Sequence, residues 1–449
     1  GSAYSLKGYR VKKELGGDEG LKSFTRRAHE AGLKVKLDFV PNHTSLDSDL
    51  LMEAPEAFLH VVPPQSLTDE EIMSSVPREE GPNGAPVYRL VRLPGGRRIL
   101  VHHPRTGTGD AGSVTWVDMA QLDHTRPQAR ERLIAELLHL FREFGADSVR
   151  RDMAYELLSG RFHDRWTRIL RKEIDATPEG WMKNRSEKLL AGCTARWKAL
   201  KHEELLALLS AAAKQARPGA VLIDEAHGRI GELSRASSDG AYNTEHDPVL
   251  GKIGLYDALR SGDAGRVRAA LRNAAFRRWQ VGGAAAVNYI GTHEEFEGNP
   301  VDVFGAHYEA AALTALLLRP VLLFNGFEQA VGQARNVKGD LSKSRDTGKA
   351  LPFDVPVALD WEQADAKRQA FLKKVLAAGE RHKDLLDRGV LDVLEPEGET
   401  SIAAWSVAAK GSGQKLLLAA NFGAETEAVF RFSPAHAALG AFLPQAGRR

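Results

Sequence analysis

Cysteine is nearly absent. One residue, Cys193, stands in 449, so no internal disulfide can brace the fold. It sits in a polar, helix-like stretch without a flanking histidine motif, and reads as a packing residue, not a nucleophile. The want of disulfides leans toward a cytoplasmic setting and otherwise leaves location open. Charge of one sign is also lacking. Lys and Arg number 61 against 59 Asp and Glu, a net of +2. That excludes the basic footprint of a nucleic-acid binder. No apolar run is long enough to cross a membrane. The longest, LTALLLRPVLLF, is broken by Pro320. Internal repeats and low-complexity tracts are missing as well. What remains is 43% hydrophobic and 27% charged residues, the balance of a globular chain longer than one ordinary core requires.

Periodicity supplies the elements. Leu21, Phe24 and Ala28 recur at helical spacing from about Asp18 to Ala31, with Gly32 as the residue closing the helix. The strand KVKLDFV follows. Thr44 to Thr115 loses periodicity, except for a hairpin pattern, VYRLVRL and RRILVHH, about Pro94–Gly95–Gly96. So long a stretch is better read as a small inserted domain than as a loop. A helix over 127–144 leads into DSVRRDM, helices follow to Arg217, and then comes the strand AVLIDEA. Short strands are expected at GAYN, AAVNYIG and VLLFNGFE, with helices over 265–279 and 307–318 between them. Helices alternating with short apolar strands predict a parallel sheet. After about Leu386 four strand-like runs near residues 390, 401, 415 and 428 predict a small antiparallel β-domain.

Four of these segments end in chemistry: LDFVPNH at His43, SVRRDM at Asp152, VLIDEAHG at Glu225, and NYIGTHEE at His293 and Glu294. Side chains alternate across a strand, so Arg150 and Asp152 share one face and Arg151 takes the other. An arginine two residues before a carboxylate holds it ionised, as a nucleophile requires. Alone, the pair reads more readily as a structural ion pair at a strand end. Glu225 follows Val221, Leu222 and Ile223, at the mouth of an apolar layer. Desolvation there would favour the protonated acid. Asp224 points to the opposite face.

In order and spacing, the four segments resemble the signature regions of the α-amylase superfamily, glycoside hydrolase family 13. The resemblance implies a TIM (β/α)8-type barrel over 1–44 and 116–385, an inserted domain over 45–115, and a C-terminal antiparallel β-sandwich over 386–449. The opening GSAYSLKGY matches the loop after the second barrel strand, so the first strands are expected to be missing. Asp152 corresponds to the nucleophile, Glu225 to the general acid/base and Glu294 to the third carboxylate. Tyr4, Asp38, His43, Arg150 and His293 correspond to residues that touch or position the sugar. Asn42 and Asp123 match two oxygen ligands of a structural Ca²⁺. No cofactor is implied for the chemistry. The implied substrate is an α-linked glucose oligomer or polymer, and no nucleic acid or membrane is implied as partner. Oligomeric state is left open. PVLLFNGFE resembles the family's last strand.

The pattern is broken in places. Glu294 stands where the family has Asp, Phe296-Glu297 where Pro-Arg is frequent, Gly8 where Asp is common, and Lys36 where an apolar residue is usual. Tyr155-Glu156 stand near the place of an expected histidine. The resemblance implies a retaining hydrolase and leaves two alternatives open: a transglycosidase or isomerase of the same family, and a non-catalytic glucan- or partner-binding protein. A third outcome is a partial barrel with an unpaired strand edge prone to association.

Overall fold

The computed structural model describes residues 4–79, 84–105, 115–226, 228–244, 246–247, 252–279, 284–293, 299–332, 337–340, 342, 355, 357–409, 413–424 and 428–431. The chain divides into two compact units, Gly1–Glu225 with Arg235–Asp239, and Ala226–Ser234 with Gly240–Arg449.

The first unit opens with the helix Gly17–Glu30 and the strand β1 (Lys36–Phe39). Gly32 between them has φ +75°, the left-handed turn that ends a helix. Of the expected apolar stripe, Leu21 and Ala28 are half-buried and Phe24 is 59% exposed, while Thr25 is buried. Next come β2 (His43–Ser45), β3 (His60–Val61), β4 (Tyr88–Arg92), β5 (Arg98–His102) and β6 (Met119–Gln121). β2 pairs antiparallel with β6, and β5 lies between β3 and β4. The β4–β5 turn is built on Gly95 and Gly96 at φ +80° and +81°.

That three-stranded sheet lies where an inserted domain was expected, and its buried side chains share a cluster with two later helices. Val61, Tyr88 and Leu100 pack in one cluster with Phe162, Trp166 and Leu170 of the helix Ser159–Ala176. Met182, Leu189 and Cys193 of the helix Trp181–Ala199 complete it. Cys193 is thus a buried packing residue, its thiol pKa pushed up by burial.

After the helix Pro127–Arg142 come β7 (Ser148–Arg151) and, past the helix Leu205–Ala216, β8 (Val221–Asp224). β1, β7 and β8 run parallel side by side. Edge placement of β1 answers the oddity of Lys36, which is solvent-exposed and not enclosed.

In the second unit β9 (Gly240–Tyr242) precedes the antiparallel pair β10 (His246–Asp247) and β11 (Lys252–Ile253). The helix Ala264–Trp279 leads to β12 (Ala285–Val287), parallel to β9. The strand expected at VLLFNGFE is reduced to one bridge, Val321 to Asn288, and a short 3-10 turn at Phe327–Gln329. A small pair, β13 (Val337–Lys338) and β14 (Ala358–Leu359), follows. β15 (Val390–Pro396), β16 (Ile402–Ala408), β17 (Lys415–Asn421) and β18 (Phe430–Arg431) then form one antiparallel sheet in the order β17-β16-β15-β18. Among the described residues the C-terminal part forms this one antiparallel sheet. It belongs to the second unit: Arg268 Nη1 donates to the Ile402 carbonyl at 2.8 Å and Arg272 Nε to Glu395 at 2.9 Å.

Candidate active site

Register brings the charged residues together. β1 pairs Asp38 with Arg150, and β7 pairs Arg151 with Asp224. Opposed residues on parallel strands share a face, so the sheet sorts the two arginines onto opposite sides.

On one face Arg150 Nη1 lies 2.8 Å from Asp152 Oδ1 and 3.1 Å from Asp38 Oδ1. It also lies 3.3 Å from the Tyr4 hydroxyl, which donates to Asp38 Oδ2 at 3.2 Å. The guanidinium carbon sits 5.5 Å from the centre of the Tyr4 ring. The other nitrogen, Nη2, is 3.1 Å from Glu225 Oε2. Arg150, Asp152 and Glu225 are all buried, at 6%, 5% and 4% exposure. One guanidinium thus faces three carboxylates; burial, with the charge of Glu225, holds the Asp38 carboxyl above its ordinary pKa against the pull of Arg150 and Tyr4.

The strand ends are pinned by backbone. Asp152 N–H donates to the Phe39 carbonyl at 2.8 Å and Glu225 N–H to the Arg151 carbonyl at 3.0 Å. Past β7 the chain turns through Met153 at φ 46°, a left-handed conformation unusual for a side chain of that size. The turn aims Met153 N–H at Glu225 Oε2, 2.6 Å away. Sequence reasoning expected burial around Glu225 and missed both this donor and the Arg150 contact. A backbone N–H leaves no mark on residue type.

On the opposite face Arg151 and Asp224, both fully buried, form a two-bond pair: Nε to Oδ1 at 2.5 Å and Nη2 to Oδ2 at 2.9 Å. Arg151 Nη1 also donates to the Leu206 carbonyl and to Ser210 Oγ, each at 3.0 Å. The residue just before the nucleophile candidate is therefore clamped to the helix Leu205–Ala216 and holds the residue just before the acid candidate.

His43 is 1% exposed, with Nδ1 3.3 Å from Asn42 Nδ2 and its ring edge-on to Trp116 at 5.3 Å. Burial lowers its pKa to about 4, against the opposing pull of a backbone hydrogen bond with Tyr4 and the charges of Asp118 and Glu225. It is neutral at pH 7. Tyr155 and Glu156 follow the left-handed turn. Glu156 is gripped by Arg161 at 3.0 Å and Arg165 at 3.1 Å.

Asn42 and Asp123 do not fit a calcium ion. Ca²⁺ needs six to eight oxygens at roughly 2.3–2.6 Å. Asp123 is buried, and Arg196 Nη2 is 2.6 Å from its Oδ2 while Thr125 Oγ1 donates to its Oδ1 at 2.5 Å. The Asn42 side-chain oxygen accepts from Gln121 Nε2 at 3.2 Å. Among the described residues no three His, Cys, Asp or Glu side chains gather as metal ligands.

The structure therefore brings Tyr4, Asp38, Arg150, Asp152 and Glu225 into one contact network, with His43 beside Tyr4. His293 is half-buried in the second unit. Glu294, Phe296 and Glu297 lie outside the described residues.

No family model matches the sequence, and neither does any curated protein. Solved structures do match the fold. Over 93% of this chain it resembles a cyclomaltodextrinase, with 15% identity and a TM-score of 0.53. An α-amylase from Lactobacillus plantarum matches with 18% identity and a TM-score of 0.53 over 93% of this chain and 75% of that one. A trehalose-6-phosphate hydrolase from Bacillus licheniformis matches with 13% identity and a TM-score of 0.57 over 93% and 80%. The chain spans 57% of the cyclomaltodextrinase. At these identities the likeness establishes the fold, an α/β architecture with parallel strands and an antiparallel C-terminal sheet, shared with amylase-type glycosidases.

Proposed function

We propose that the chain is a retaining glycoside hydrolase of the α-amylase type, acting on α-linked glucose oligomers or polymers. The observation that carries this reading is the Arg150 hub. One buried guanidinium holds Asp152 and Asp38 through Nη1 and lies against Glu225 through Nη2. Asp152, ionised against Arg150, attacks the anomeric carbon, and the bond to the leaving oxygen breaks. Glu225 gives its proton to that oxygen, then takes one back from the water that releases the sugar from Asp152. Tyr4 offers a ring face to the pyranose. His43, neutral at pH 7, offers a hydrogen bond to a sugar hydroxyl. His293 and Glu294 are assigned to the same sugar by resemblance alone. The names of the matched enzymes, a cyclomaltodextrinase and an α-amylase among them, support an α-glucan as substrate.

Product analysis with a maltooligosaccharide, beside Asp152→Asn, tests this. Shorter sugars lost in the variant are expected, and equal turnover by the variant refutes the nucleophile assignment. Longer or isomerised sugars would assign transfer, which uses the same residues. A second reading, glucan binding without turnover, draws on Glu294 in place of Asp. An extra methylene misplaces the carboxylate, and about 1 Å costs on the order of 100-fold. Binding without product would select it.

A further inference from the structure

Asp123 is a fully buried carboxylate on the segment that follows β6, and it needs a positive partner. That partner is Arg196, one turn from the end of the helix Trp181–Ala199. Arg196 Nη2 sits 2.6 Å from Asp123 Oδ2, and Arg196 Nε donates to Thr125 Oγ1 at 3.0 Å. Thr125 closes the ring by donating its hydroxyl and its backbone N–H to Asp123 Oδ1. Arg126 Nε adds a weaker contact at 3.4 Å. Room for the guanidinium is built into the helix: a Cβ at Gly192 would stand 3.1 Å from Arg196 Nη1.

We infer that Arg196 is a built-in cation that replaces a divalent metal at the Asn42–Asp123 position, so this chain needs no calcium there. The guanidinium supplies the charge and its planar fork the directionality that a metal would otherwise give. What it secures bears on the site. Asp123 N–H donates to the Ala57 carbonyl and Leu122 N–H to the Asn42 carbonyl. Gln121 Nε2 also donates to the Asn42 carbonyl, at 3.0 Å. Arg196 therefore ties the helix to the segment that carries Asn42 and, next to it, His43. The inference rests on the first unit's own contacts and stands whether or not the chain cleaves sugars.

The test is thermal unfolding of the full chain, followed by circular dichroism, in excess EDTA and in millimolar CaCl2. Wild type is expected to unfold at the same temperature in both. Arg196→Met is expected to unfold several degrees lower, and Arg196→Lys, which keeps the charge but not the fork, in between. A wild-type Tm that drops in EDTA overturns the inference, as does Arg196→Met unfolding with wild type. Should Arg196→Met fail to fold, metal content decides. Calcium retained by purified wild type and lost from Asp123→Asn refutes the built-in cation, and its absence from wild type upholds it.

Discussion

Asp224→Ala strands a cation. Arg151 is fully buried and gives Asp224 two of its four hydrogen bonds; the Leu206 carbonyl and Ser210 take the others. Removing one member of a buried pair costs about 3–5 kcal/mol. The two bonds that remain to Arg151 place the loss near the lower end, about 3 kcal/mol. With a urea dependence of about 2–3 kcal/mol per molar, the midpoint falls by roughly 1 M. The pair itself is a different quantity. Burial pushes the Asp224 carboxyl up in pKa, and Arg151 pulls it back only in part, so desolvation exceeds attraction. Replacing both, Arg151→Met with Asp224→Leu, should therefore sit within about 1–2 kcal/mol of wild type. Urea unfolding of wild type, Asp224→Ala, Arg151→Met, Asp224→Leu and the double variant, followed by tryptophan fluorescence, measures both quantities. A loss under about 1 kcal/mol for Asp224→Ala, or a double variant as weak as the sum of the singles, would falsify the reasoning. The double variant also reports on positioning: intact stability with a lowered kcat would mean the clamp aligns Asp152 and Glu225.

Further outcomes follow from the same geometry. Arg150→Lys puts one ammonium where two nitrogens hold Asp152, Asp38 and Glu225, and should lower kcat on the order of 100-fold, read by product release from a maltooligosaccharide. His43, His103 and His124 each hold a pKa of about 4, below the ordinary 6.5, chiefly through burial. The unfolded chain takes up protons that the folded chain refuses, so stability is full above about pH 6.5 and falls toward pH 4. The worth is up to ~3 kcal/mol per histidine. Midpoints that stay flat over that window refute it. Gly32→Ala should cost about 1 kcal/mol, since φ +75° disfavours any Cβ though space is open, and urea unfolding checks it. Thr68→Ala removes both hydroxyl bonds of a capping box with Glu71 and should cost about 1 kcal/mol by the same assay.

The sequence by itself determined the order of the longer helices and of the parallel strands β1, β7, β8, β9 and β12. Strand alternation in SVRRDM separated Arg150 and Asp152 from Arg151, and VLIDE separated Glu225 from Asp224, because a period of two is a property of the backbone. The hairpin about Pro94–Gly96 and the C-terminal strands were legible for the same local reason. Tertiary structure decided the rest. Which strands lie side by side set Asp38 against Arg150 and Arg151 against Asp224. The segment 45–115 shares its core cluster with two distant helices. Asp123 received a guanidinium from a residue 73 positions along the chain. Phe24, at helical spacing with Leu21 and Ala28, is exposed, because burial depends on what packs beside a helix. Local pattern records which face of an element is apolar or charged. Only the packing of elements far apart in the chain decides what that face meets.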